Sequence, residues 1–159
     1  MITAREIRFM QMAVEQSRYG MENGFGGPFG CIIVRGEEVI AKGFNRVACS
    51  NDPTAHAEVV AIREACKAIG NFQLTDCEIF TSCEPCPMCM GAIYWARPKM
   101  VYYANTKNDA AAINFDDQFI YDELALPMAD RKLPIFHIAI GEAKQVFNDW
   151  AAKQDKTIY

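Results

Sequence analysis

Two short clusters carry residue types able to do chemistry: His56-Ala57-Glu58 and Cys86-Pro87-Met88-Cys89, with 29 residues between His56 and Cys86. A histidine and two cysteines are donors that a zinc ion takes, and a catalytic zinc keeps one of its four tetrahedral positions open for water. Pro87 suits the first turn of a helix, so Cys86 and Cys89 stand at a helix start. There both sulfurs can aim at one point, and the positive end of the helix favours the thiolate that a metal requires. Glu58, two residues past His56, projects roughly 200° around a helix from the imidazole at about 100° per residue, and need not bind the metal. A carboxylate beside the open position can take a proton from water there and return it to a leaving group. Cys83 keeps a second reading open, because His56, Cys83, Cys86 and Cys89 together would close a four-ligand site that only holds the fold.

Local signals place these residues on elements. Thr3 with Glu6 forms a capping box for a first helix whose apolar stripe is Ile7, Met10 and Val14 and which closes at Tyr19-Gly20. A glycine-rich loop then leads into GCIIVR, and Arg35 to Glu38 turns the chain into VIAKGFN, a hairpin ending near Asn45. Thr54 is the expected N-cap of the next helix, which puts His56 and Glu58 in its first turn. CEIFTS reads as a strand, and the helix carrying the cysteines runs to about Ala96. KMVYYAN follows as a strand, then a less regular stretch from 109 to 113 and an irregular FDDQFIYDELALP. IFHIAI is the last expected strand and GEAKQVFNDWAAK the last helix. Helices alternating with strands after a hairpin predict one three-layer α/β domain over 1–159 with a largely buried sheet.

Composition narrows the function classes. The chain has 159 residues, 51% of them apolar and 23% charged, enough to bury a core without disulfide staples. Seven cysteines, three within seven residues, make a poor disulfide framework and a good metal clip in a reduced cytoplasmic setting. Sixteen basic against twenty acidic residues give a net charge of −4, which disfavours a nucleic-acid partner. No stretch approaches the roughly 18 apolar residues of a membrane span, and no secretory signal pattern opens the chain. GFGGPFG lacks the lysine of a phosphate loop and runs into a strand, and His137 on an apolar stretch is given no role.

The pattern H-x-E followed by P-C-x-x-C is that of zinc nucleobase deaminases. PTAHAEVVAIR followed by TSCEPCPMCMGAIYWARPK resembles the cytidine-deaminase-like superfamily, and within it the small bacterial guanine deaminases. FDDQFIY and the terminal tyrosine are similar to that subgroup too, so the resemblance spans essentially the whole chain. It implies a three-layer α/β/α fold with a five-stranded mixed sheet, and one zinc per subunit on His56, Cys86 and Cys89, with Glu58 as the proton shuttle. It further implies a purine site of Asn45, Phe29, Ala57, Trp95, Asp117 and Tyr159, and a homodimer in which the C-terminal segment can be exchanged. The implied reaction is hydrolytic deamination of guanine to xanthine and ammonia, with a small purine base as partner. Deamination of guanosine, cytosine, cytidine or transfer-RNA adenosine remains an alternative, as does a zinc-stabilised purine-binding module without turnover.

Overall fold

The computed structural model describes residues 2–158, which form two compact units divided after Gln118. The first unit holds α1 (Ala4–Glu22), β1 (Gly30–Arg35), β2 (Glu38–Phe44), α2 (Val47–Ser50), α3 (Ala57–Ile69), β3 (Glu78–Cys83), α4 (Pro87–Ala96), β4 (Met100–Asn105) and α5 (Lys107–Ala111). Its strands lie in the order β2-β1-β3-β4, with β1 antiparallel to both neighbours and β3 parallel to β4. Both sheet faces are covered, so β1 is apolar on each: Cys31 and Ile33 pack under α3 with Ala57, Ala61 and Ile79, while Ile32 and Val34 pack under α1 with Phe9, Ala13 and Phe80. A three-layer α/β/α architecture results.

The N-termini of α3 and α4 are what this arrangement serves. Gly43 of β2 lets α3 settle close, since a Cβ there would overlap the Ala57 carbonyl oxygen and stand 2.7 Å from the Ala61 amide nitrogen. Gly43→Ala must therefore push away the very turn that carries Glu58. A loss of about 1–3 kcal/mol is expected, read as a lower denaturant midpoint, together with reduced turnover; an unchanged midpoint would remove Gly43 from this role.

Several expectations are corrected. The sheet has four strands, not five: residues 135–140, read as a last strand, form no ladder among the described residues. An apolar β-prone run becomes a strand only where another strand satisfies its amides, which local pattern cannot supply. Thr54 caps no helix; its amide donates to Asp52 Oδ1 at 2.8 Å in a turn, and His56 itself is the N-cap of α3. The α1 face laid on the sheet is Phe9, Ala13 and Gly20, whereas Ile7 and Val14 remain over a third exposed, and the helix runs on to Glu22. FDDQFIYDELALP is not irregular throughout, because Asp116 Oδ1 accepts the Gln118 amide at 2.9 Å and α6 (Gln118–Ala125) follows. The second unit also holds a short 3-10 turn (Met128–Asp130) and α7 (Gly141–Ala152). Among the described residues no helix is long and apolar enough to cross a membrane.

Candidate metal centre

Cys86 is the N-cap of α4 and Pro87 its first residue, so Cys89 follows one turn along, while His56 occupies the corresponding cap of α3. His56 Nδ1 lies 3.6 Å from Cys86 Sγ and 3.5 Å from Cys89 Sγ. A tetrahedral zinc with ordinary Zn–S and Zn–N bonds holds a sulfur and a nitrogen about 3.5 Å apart, so the three donors already stand at ligand spacing. They are the group of possible metal donors found among the described residues. Cys83 is not in it; its thiol donates to the Thr106 carbonyl at 3.7 Å, and burial pushes it up to about 11.

Electrostatics favour a cation here. The neighbouring Cys89 thiol, then His56, lower Cys86 to about 4, and the thiolate so formed, followed by burial, raises Cys89 well above the ordinary thiol range. Two sulfurs thus compete for one negative charge, and a divalent ion lets both ionise. His56 is raised, chiefly by Cys86. The donor chemistry and spacing fit zinc on His56, Cys86 and Cys89, with three protein ligands of a four-coordinate ion.

Glu58, the second residue of α3, is 6% exposed, and burial raises its carboxyl. Thr81 Oγ1 donates to Glu58 Oε1 at 2.8 Å, and Cys89 Sγ donates to Oε2 at 3.4 Å. A carboxyl whose charge is disfavoured by burial, beside a metal donor set, is suited to carry a proton to and fro.

Asn45 follows β2 and is buried; its Oδ1 accepts the amides of Gly27 (3.3 Å) and Val47 (3.1 Å), which fixes the side chain. Phe29 packs edge-to-face on Phe115, with ring centroids 4.9 Å apart. The two adjacent aspartates part company: Asp116 accepts the Gln118 amide, while Asp117 is raised first by burial and then by the Cys86 charge, and its own charge raises His56. Asp117 therefore shares the field of the donor set. Ala57 is fully buried under the sheet, Trp95 stands 64% exposed on α4, and Tyr159 lies outside the described residues. Thr81 and Phe115 were missed from the sequence. A threonine directly after the apolar Ile79 and Phe80 of an expected strand was the available signal for the first; Phe115 carried none, since its partner is 86 positions away.

Residues 3–105 match the cytidine and deoxycytidylate deaminase zinc-binding region. Over 151 residues the chain is 51% identical to guanine deaminase of Bacillus subtilis (strain 168), covering 95% of this chain and 97% of that one. The X-ray structure of guanine deaminase from Bacillus subtilis superposes with a TM-score of 0.94 at 49% identity, covering 99% of both chains. A tRNA-specific adenosine deaminase of Aquifex aeolicus (strain VF5) is 30% identical over 91% of this chain and 93% of its own.

Proposed function

We infer from a chain that belongs to the cytidine and deoxycytidylate deaminase zinc-binding family that its reaction is the hydrolytic deamination of guanine to xanthine and ammonia. The observation that carries the chemistry is the convergence of two helix N-termini, which puts His56, Cys86 and Cys89 at metal-ligand spacing with the Glu58 carboxyl 3.4 Å from one sulfur. The guanine assignment draws on likeness to a guanine deaminase across 95% of the chain. Zinc, held by His56, Cys86 and Cys89, supplies a Lewis acid that activates water at neutral pH.

Glu58 takes a proton from the attacking water as the new C–O bond forms at C2 of the purine. It delivers that proton to the adjacent ring nitrogen, then takes the remaining proton from the new C2 hydroxyl and gives it to the exocyclic amine, so that the C–N bond breaks, ammonia leaves and C2 becomes a carbonyl. Asn45, its Oδ1 held by two loop amides, presents its Nδ2 donor to an acceptor on the base edge. Phe29, backed by Phe115, offers a stacking face, and Asp117 accepts hydrogen bonds from the guanine N–H groups. Ala57, Trp95 and Tyr159 complete the proposed substrate set on the likeness to guanine deaminases.

The proposed assembly is a homodimer of single deaminase domains that exchange C-terminal segments. Residues 135–140 support it, being mostly apolar and outside any ladder among the described residues, with Phe136 and Ile138 each about four-fifths exposed. They would supply the fifth strand to an open sheet edge of a second copy. A reducing cytoplasmic compartment suits seven free cysteines.

Zinc-loaded protein incubated separately with guanine, guanosine, cytosine, cytidine and adenine, followed by ammonia release and ultraviolet change, tests the reading. Guanine alone should turn over, in a species sized by light scattering at twice 17.9 kDa. Release from guanosine but not guanine would overturn the substrate, and silence on all five would overturn the enzyme.

A further inference from the structure

We propose that Thr81 is a positioning residue for the deamination: its hydroxyl holds one oxygen of the Glu58 carboxylate, which leaves the other oxygen to carry the proton. This rests on the reading of Glu58 as proton shuttle given above.

The two carboxylate oxygens have different surroundings. Oε1 accepts from Thr81 Oγ1 at 2.8 Å, a strong and well-formed bond, while Oε2 lies 3.4 Å from Cys89 Sγ, on the side of the metal donors. A glutamate side chain has three rotatable torsions, and its cost of ordering must be met by some fixed contact. Thr81 is well suited to provide one. It is 1% exposed on an inner strand, paired with Cys31 of β1 on one side and Tyr103 of β4 on the other. Its backbone is therefore held whatever its side chain does, and the hydroxyl is free to act on Glu58 alone. With Oε1 engaged, proton exchange falls to Oε2, and the direction of that oxygen is set by a bond made 23 positions away.

Thr81→Val keeps the shape and deletes the donor, whereas Thr81→Ser keeps the donor. In zinc-loaded protein acting on guanine, the valine variant should lose about 10- to 100-fold in kcat, because a misaligned base loses its near-attack geometry. KM should stay within about twofold and zinc stoichiometry should be unchanged, with serine restoring most of kcat. A crystal structure of the metal-free valine variant should show the Glu58 carboxylate turned from its wild-type position above an unmoved β3. Wild-type kcat in the valine variant, an equal loss in the serine variant, or a loss that tracks zinc content or KM would each overturn the proposal. If the valine variant does not fold, the serine and alanine variants, which both lack the methyl and differ only in the hydroxyl, pose the same question: equal kcat overturns it. Wild-type protein inactive on guanine would instead sink the functional reading, and the metal-free structures would still decide whether Thr81 holds Glu58.

Discussion

Glu58→Gln is expected to abolish ammonia release, by about 10⁴-fold or more, while the protein keeps its zinc and its fold. The amide has the volume of the carboxyl and its oxygen can still accept from Thr81, so the bond at 2.8 Å is retained in kind. What is lost is the ability to accept a proton from water and give it back. Because His56, Cys86 and Cys89 supply the proposed ligand set, zinc measured per subunit should be that of the wild type. Burial already disfavours the charge on Glu58, and a neutral amide removes that cost, so the variant should melt no lower than the parent. The check is ammonia release alongside metal content and a thermal melt. Near wild-type turnover would show that the protons travel by another group.

Cys86→Ala should lose both metal and activity. Cys86 is the sulfur most ready to bind, held as a thiolate to about 4 by Cys89 and His56 at the positive end of α4. Without it His56 and Cys89 alone remain, and Cys89, no longer facing a neighbouring thiolate, reverts toward an ordinary buried thiol. Zinc binding to the native state at about 1,000 times its dissociation constant contributes about 4 kcal/mol to stability. The wild type should therefore melt higher with zinc than with a chelator, and the variant should melt alike in both. A variant that still carried one zinc per subunit would remove Cys86 from the ligand set and reopen the question of Cys83.

The residues that meet at the centre divide by how far apart their reasons lie. Cys86 and Cys89 were readable because a proline-started helix and a three-residue spacing are local facts, and the nature of a thiol already limits what it can bind. His56 and Glu58 were readable as residue types, but their cap was placed at Thr54 and moved to His56 once Asp52 claimed the Thr54 amide. The α1 stripe of Ile7 and Val14 misled, since helical spacing shows that a face exists without saying which face meets the sheet; the contacts of Phe9 and Ala13 with β1 and β3 decide that. Residues 135–140 misled for a related reason, an apolar β-prone run being a strand only when a partner edge receives it.

The amino-acid sequence by itself determined the donor types, their spacing along the chain, the helix start beneath the cysteines and the alternation of elements, all of which follow from neighbours within a few positions. Tertiary structure alone decided that Cys83 turns to Thr106 and that Thr81 holds Glu58. Each of these is a pairing across the fold, and a short-ranged bond or a buried charge acts only on what packing has brought beside it.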